Sequence, residues 1–381
     1  MKKVLIVFGT RPEAIKMAPL VKQLQKRKES FNIKVCVTAQ HREMLDQVLD
    51  LFNIKPDYDL DIMRSDQNLY EVSSNILLGM KDVLENFKPN IVLVHGDTTT
   101  TAMVSLATFY QKIKIGHVEA GLRTNNLYSP WPEEANRQMA SIFANFHFTP
   151  TQATKKNLLK ENKKERNIIV TGNTVIDALF LTLDTIKNNK KVELDIIQNL
   201  STFKFRIIED RKIILVTGHR RENHGLKFLN ICEALKEIAL KNKNVDIVYP
   251  VHLNPNVQKP VYEMLSDIEN IYLIEPLQYK EFVYLMDKSY FIITDSGGIQ
   301  EEAPSLGKPV LLLRDTTERP EAIKAGTVKL VGTDKEKIIS EAQWLLDCKE
   351  EYDKMSQSHN PYGDGNASKK IVEFLVEKKD L

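Results

Sequence analysis

Three carboxylates in this chain follow apolar runs of strand character, where they could take part in proton transfer. Asp97 follows the apolar run Asn90 to Val94, Glu119 follows Ile113 to Val118, and Glu133 lies a little further on in Pro130-Trp131-Pro132-Glu133-Glu134. Carboxylates sharing one crevice raise each other's pKa and can supply a general base, a general acid or a steering charge. Taken alone, Asp97 is better explained by a turn or a helix cap, and ion pairs with Arg123 and Arg137 account for the acidic residues equally well. His219, in Thr217-Gly218-His219-Arg220-Arg221, also follows an apolar run. Beside two arginines it points to an anionic ligand, to which imidazole can donate or with which it can exchange a proton near neutral pH. His252, in Val251-His252-Leu253-Asn254-Pro255, is a weaker case for the same role, and a buried hydrogen-bonded histidine fits it at least as well.

Anion binding is written in two further places. Gly9-Thr10-Arg11-Pro12-Glu13 runs into Ala14-Ile15-Lys16, a glycine turn into a helix start with Pro12 in the first turn, where free N–H groups and the charges of Arg11 and Lys16 suit a phosphate or carboxylate. An ordinary strand-to-helix turn with solvated bases fits that fragment equally well. Asp295-Ser296-Gly297-Gly298-Ile299-Gln300-Glu301-Glu302 is the more telling segment. Its Ser-Gly-Gly turn opens a helix whose exposed N–H groups would cradle a diphosphate, with Ser296 adding a hydroxyl. Glu302 is placed to accept from two ribose hydroxyls, and Arg319, after the next apolar run, can reach the same ligand.

These residues need a scaffold that delivers strand ends. Apolar runs of buried-strand character recur at Lys3 to Phe8, Ile33 to Thr38, Asn90 to Val94, Ile113 to Val118, Phe146 to Thr149 and Ile168 to Thr171. The rhythm repeats at Lys212 to Thr217, Val245 to Pro250, Ile271 to Ile274, Phe291 to Thr294, Val310 to Leu313 and Val328 to Val331. Continuous rather than alternating apolar residues are what strands covered on both faces require, so the expected fold class is α/β, two doubly wound Rossmann-like domains in tandem. A boundary is expected near the basic run Lys155 to Arg166, itself a solvated helix face, with the polar stretch Asp184 to Arg211 in or beside the linker. A last amphipathic helix, Ala367 to Val376, follows the breaker Asn360 to Gly365.

With 381 residues, 42% of them hydrophobic, the chain has material for two domains. The 53 Lys and Arg against 51 Asp and Glu leave +2, which gives no ground for a nucleic-acid or membrane partner. Cys36, Cys232 and Cys348 are far apart and lack metal-ligand spacing, which fits a reducing compartment. The opening apolar stretch Val4 to Phe8 is too short for a signal-peptide core, so a cytoplasmic location is expected.

Taken together, Gly9 to Lys16, His95 to Thr101, His117 to Thr124, Ser129 to Gln138, Thr217 to Asn223, Thr294 to Pro304 and Arg314 to Glu321 resemble the non-hydrolysing UDP-N-acetylglucosamine 2-epimerases over nearly the whole length. The hydrolysing branch carries Arg-Ala-Asp where this chain has Arg11-Pro12-Glu13. The resemblance implies the glycosyltransferase B type of fold, with residues 1–170 and the C-terminal helix 361–381 forming a sugar domain, residues 171–360 a UDP domain, and the active site in the inter-domain cleft. It implies reversible conversion of UDP-N-acetylglucosamine to the manno epimer by loss of UDP to a 2-acetamidoglucal and re-addition, for surface polysaccharide supply, without metal or cofactor.

By the same resemblance Asp97, Glu119, Glu133 and His219 are catalytic. Arg11, Ser296, Gly297 and Gly298 hold the diphosphate with His219, and Glu302 the ribose. Phe282 and Arg319 meet the nucleotide end, and Lys16 and Arg137 order the cleft. Bacterial members often bind a second UDP-sugar as activator, at positions matching Gln40, Arg220 and His252. Glu43 and Asp66 replace a glutamine and an arginine at two other contacts, implying weak activation, and Leu277 stands where a uracil-side glutamine is usual. A homodimer is implied as well. A related UDP-2-acetamido sugar as substrate, a glycosyltransferase of this architecture and a non-catalytic sensor are the competing readings.

Overall fold

The computed structural model describes residues 1–39, 42–64, 67–378 and 381. They divide into two compact units, residues 1–180 with 362–381, and residues 181–361.

The first unit holds a seven-stranded sheet made of β1 (Lys2–Phe8), β2 (Phe31–Val37), β3 (Tyr58–Asp59), β4 (Ile91–His95), β5 (Lys114–Val118), β6 (Phe146–Thr149) and β7 (Ile168–Val170). The spatial order is β3-β2-β1-β4-β5-β6-β7, with every pair parallel. Chain order reverses between β1 and β4, the switch point at which doubly wound sheets open a crevice beyond the strands' carboxyl ends. Leu5, Val7, Val92, Val94 and Ile115 of the central strands pack on Ile76, Met80 and Val104 from the covering helices. Val4, Ile6 and Leu93, which point to the opposite face, are also fully buried, and this is the two-sided burial that the continuous apolar runs require.

The second unit repeats the plan with β8 (Lys212–Thr217), β9 (Val245–Pro250), β10 (Ile271–Ile274), β11 (Phe291–Thr294), β12 (Val310–Leu312) and β13 (Val328–Leu330). Their order is β10-β9-β8-β11-β12-β13, again parallel, with the reversal between β8 and β11. Ile214, Val216, Ile247, Ile293 and Leu311 pack with Phe228, Ile231 and Leu235 of the helix Leu226–Lys241.

Three details differ from the sequence reading. The two-residue strand β3 has no apolar run to announce it. The basic run is the helix Gln152–Lys160 and the turn after it, and β7 beyond still pairs with β6, so the chain leaves the first unit only within the helix Thr174–Lys187. The polar stretch that follows is not bare linker but contains the helix Lys190–Thr202, capped by Asn189 and anchored through buried Ile196 and Leu200.

The C-terminal helix Ala367–Glu377 packs on the first unit. Phe374 meets Phe146 and Phe148 edge-on at 5.2 and 5.6 Å. Asp177 accepts from the N–H groups of Ala367 (3.2 Å) and Ser368 (2.8 Å), and Lys2 Nζ donates to the carbonyls of Leu375 and Lys378 at 2.7 Å. Both ends of the helix thus have the partners that a helix terminus otherwise lacks.

Candidate active site

In the first unit the site is built by turns that follow β1, β4 and β5. Thr10 and Glu13 form a capping box on the helix Arg11–Gln25. Glu13 is buried and goes further. Its Oε2 accepts from the N–H of Gly9 (3.0 Å) and Thr10 (2.8 Å), and its Oε1 from the hydroxyls of Thr98 (2.6 Å) and Thr101 (3.3 Å). One carboxylate therefore ties the turn after β1 to the turn after β4. Gly9 is required by close approach, since a Cβ there would overlap the hydroxyls of Thr38 and Thr100.

Asp97 does not cap the next helix, because Thr98 does, accepting from Thr101 N at 3.2 Å. Instead Asp97 receives Arg137 Nη2 at 2.5 Å. Burial pushes the Asp97 carboxyl above the usual carboxylate range, Arg137 pulls it down, and the charge of Glu119 pushes it up again. Glu119 carries the ammonium of Lys16 on Oε2, which also accepts from Asn173 Nδ2 at 2.8 Å. Its backbone lies at φ +60°, a left-handed conformation that a side-chain-bearing residue adopts at a cost.

Arginines neutralise these groups in part. Arg137 does pair with Asp97, and also with Glu134 at 3.2 Å, whereas Arg123 turns to Glu161 and Ser141. Glu133 begins the helix Glu133–Phe143, and its Oε2 is buried with no hydrogen-bond partner among the described residues. Arg11 opens the first helix of the unit, half-buried.

In the second unit the site follows β8, β11 and β12. His219 Nδ1 lies 3.5 Å from the buried carboxylate of Asp295, and its ring stacks on His252 with centroids 5.1 Å apart. His252 is exposed rather than buried, and its Nδ1 accepts from Asn254 N at 3.1 Å. Ser296, Gly297 and Gly298 form the turn before Ile299–Glu302, a single α turn continued as a 3-10 turn. So short a helix contributes little dipole, and a diphosphate cradle at this turn would rest on backbone N–H groups. Arg319 reaches this turn: a Cβ on Gly297 would stand 2.6 Å from its Nη1.

Arg319 is steered by Glu301 (2.5 Å) and Glu318 (2.7 Å), and Glu302 accepts the hydroxyl of Tyr279 at 2.8 Å. Phe282 sits half-buried on the same helix as Tyr279, Tyr279–Lys288. Arg220 lies 3.8 Å from Glu318. Glu43 is exposed in the first turn of Arg42–Leu51, while Gln40 and Asp66 lie outside the described residues.

Several contributors were not singled out by sequence. Glu134, fully buried, accepts from the N–H groups of Thr124 (3.0 Å) and Asn125 (3.1 Å) as well as from Arg137. His95 is buried with its Nε2 3.7 Å from Glu119 and is held neutral, its pKa pushed down to about 3 by burial. Asn173 and Tyr279 carry no local signal, whereas His95 directly follows the apolar run Asn90 to Val94. Glu134 and Asp295 carry one too, as acidic residues next to marked ones.

Comparison with known proteins bears on the same residues. Residues 22–376 match the family profile described as UDP-N-acetylglucosamine 2-epimerase. The protein of that name from Campylobacter jejuni is 63% identical over 379 residues, 100% of this chain and 98% of its own. The one from Escherichia coli K12 is 59% identical over 377 residues, 99% of each chain. Among solved structures, the Neisseria meningitidis UDP-GlcNAc 2-epimerase bound to UDP-GlcNAc is 57% identical with a TM-score of 0.89, covering 99% of this chain and 100% of its own. A match that runs through both sheets, on a chain whose marked residues gather at the strand ends of two doubly wound units, leaves one assignment: the chain belongs to the UDP-N-acetylglucosamine 2-epimerase family.

Proposed function

We propose that this protein interconverts UDP-N-acetylglucosamine and UDP-N-acetylmannosamine by inversion at C2. The C2 hydrogen of the sugar is not next to a carbonyl, so its direct removal and return would leave a poorly stabilised carbanion. Coupling that removal to cleavage of the C1–O bond avoids the problem. The proton goes to a carboxylate, the C1–O electron pair leaves with UDP, and 2-acetamidoglucal remains. Return of UDP to C1 and of a proton to the opposite face of C2 completes the reaction, with no net gain or loss of atoms or electrons.

The observation that carries this reading is the pair Asp97 and Glu119. They feel each other's charge, yet one is pushed toward its neutral form by burial and the other bears an ammonium partner. Two carboxyls with different environments can divide acid and base roles, as reaction on two faces of one carbon demands. Glu133, with one buried oxygen that has no hydrogen-bond partner among the described residues, is the third sugar-side carboxylate, Lys16 and Arg137 order that side, and Arg11 holds the diphosphate. His219, Ser296, Gly297 and Gly298 receive the charge that develops on the departing diphosphate. Glu302 takes the ribose, and Phe282 and Arg319 the nucleotide end.

The test is incubation with UDP-N-acetylglucosamine in D₂O, followed at C2 by NMR. Deuterium at C2 together with the manno epimer is expected. A sugar that keeps its C2 hydrogen rejects the reading, and transfer only on adding an acceptor replaces it with a glycosyltransferase.

Cytoplasmic action on a polysaccharide precursor is part of the proposal, since nucleotide sugars are the activated form in which such units are joined. Among the described residues no helix is long and apolar enough to cross a membrane. A homodimer is also part of it, supported by an apolar patch on the first unit where Phe109, Tyr110 and Ile142 are 53%, 65% and 67% exposed. Light scattering that returns twice the chain mass, and the single mass for Ile142→Glu, is the expected result.

A further inference from the structure

Asp295 is fully buried at the end of β11, beside the end of β8, where Thr294 and Thr217 are register partners. Its Oδ2 accepts three hydrogen bonds, from the N–H groups of His219 (2.9 Å) and Arg220 (2.8 Å) and from Asn223 Nδ2 (3.3 Å). Asn223 is itself fixed by donating to the carbonyl of Leu313 at 3.0 Å. The plane of the carboxylate is therefore set by groups that do not move with the His219 ring. Oδ1 is buried and has no hydrogen-bond partner among the described residues, and it faces His219 Nδ1 at 3.5 Å. The nearby hydroxyl of Tyr249 does not compete, because it donates to the carbonyl of Gly218 at 3.0 Å.

We propose that Asp295 is a positioning residue for His219: its free oxygen holds the imidazole in the Nδ1–H tautomer and leaves Nε2 as the nitrogen that exchanges a proton with the ligand. This rests on the reading that His219 serves the departing UDP. In the neutral ring Nε2 then accepts. In the imidazolium it donates to the diphosphate oxygen that takes the C1–O electron pair, and the proton returns to Nε2 or to solvent when that oxygen re-forms its bond to C1. An unpaired buried acceptor costs stability unless a donor reaches it, and the imidazolium Nδ1–H is the donor on hand. Among the described residues, the other charged or titratable groups facing His219 are His252, stacked on it, and Arg220, next in the chain. Both disfavour the cation, as does burial, so Asp295 is the group that supports it. An equivalent carboxylate behind a catalytic histidine fixes tautomer and orientation without taking the proton itself.

The experiment is ¹⁵N NMR of the histidine-labelled full chain, with His219 assigned by its loss in His219→Gln. In the unsubstituted protein above the titration midpoint, Nε2 is expected at the unprotonated ring-nitrogen position and Nδ1 at the protonated one. Asp295→Asn would offer an amide N–H₂ to Nδ1 while its carbonyl keeps the backbone donors. It should therefore invert the pattern and lower kcat by about 100-fold or more, with KM changed by less than about threefold. A His219 already protonated at Nε2 in the unsubstituted protein overturns the proposal whether or not the variant folds. An inverted tautomer with unchanged kcat overturns it too. The tautomer is read without turnover, so absence of C2 exchange would sink the epimerase reading separately.

Discussion

Arg137 decides how much charge Asp97 can carry. Burial raises the carboxyl and the guanidinium at 2.5 Å opposes that rise, so the two effects are separable by substitution. Arg137→Met keeps length and apolar bulk while removing the opposing charge. The pKa of Asp97 should then rise further, because the charge that opposes the effect of burial is gone. Whichever limb of the kcat–pH profile Asp97 governs moves to higher pH: the basic limb if it acts as acid, the acidic limb if it acts as base. A profile that stays in place, or moves down, would show that Asp97 does not titrate in the rate-limiting step. Glu134 holds Arg137 from behind, and its backbone bonds to Thr124 and Asn125 explain why an acidic residue adjacent to a proposed catalytic one is fully buried.

Turns belong together in this fold because single side chains span them. Glu13 accepts from the turn after β1 and from the turn after β4, and so places Arg11 and Asp97 on one frame. Glu13→Gln keeps the shape but turns a donor toward groups that already donate. Bonds to a charged group are worth about 1.5–3 kcal/mol each, and reshuffling recovers part of the loss, so a net cost of about 2–3 kcal/mol is expected. The urea midpoint should fall and the substrate KM should rise together. An unchanged midpoint would mean that the carboxylate is not the brace. Much at this scale was legible: the helix start marked by Gly9 and Pro12, the continuous apolar strands and the polar residues after them are local signals. What was not legible comes from distance. Asn173 reaches Glu119, and Tyr279 reaches Glu302, across chain separations that no periodicity encodes. The helix Lys190–Thr202 was hidden by composition, since only a narrow face with Ile196 and Leu200 is buried while Leu194 stays 64% exposed.

At the scale of the molecule, the two units differ in how they meet acid. The first buries three histidines on neighbouring strands: His95 on β4, His117 on β5 and His147 on β6, with His117 and His147 in register. Burial pushes them down to about 3, 4 and 3 respectively. In the unfolded chain a histidine titrates near ~6.5, so below that value the unfolded state binds protons that the folded state refuses. Stability contributed by the neutral rings is thus complete above the unfolded pKa and is lost as pH falls toward the folded values. Each ring adds a slope of up to about 1.4 kcal/mol per pH unit. Glu13, Asp97 and Asp177 have raised values and act in the opposite sense, their contribution being present at low pH and lost as pH rises through their folded pKa. Because the two sets overlap, the histidine share is best isolated by difference. The second unit's His219 and His252 are exposed, so acid should loosen the first unit foremost. His147→Gln removes one reluctant base at a ring whose Nδ1 has no partner among the described residues. Urea midpoints measured from pH 4.5 to 6.5 on a probe in the first unit should fall with acid in the parent and less steeply in the variant. The slopes should differ by about 1 kcal/mol per pH unit. Parallel lines for the two proteins would mean that His147 is protonated in the folded state, and the account of this buried row would have to be given up.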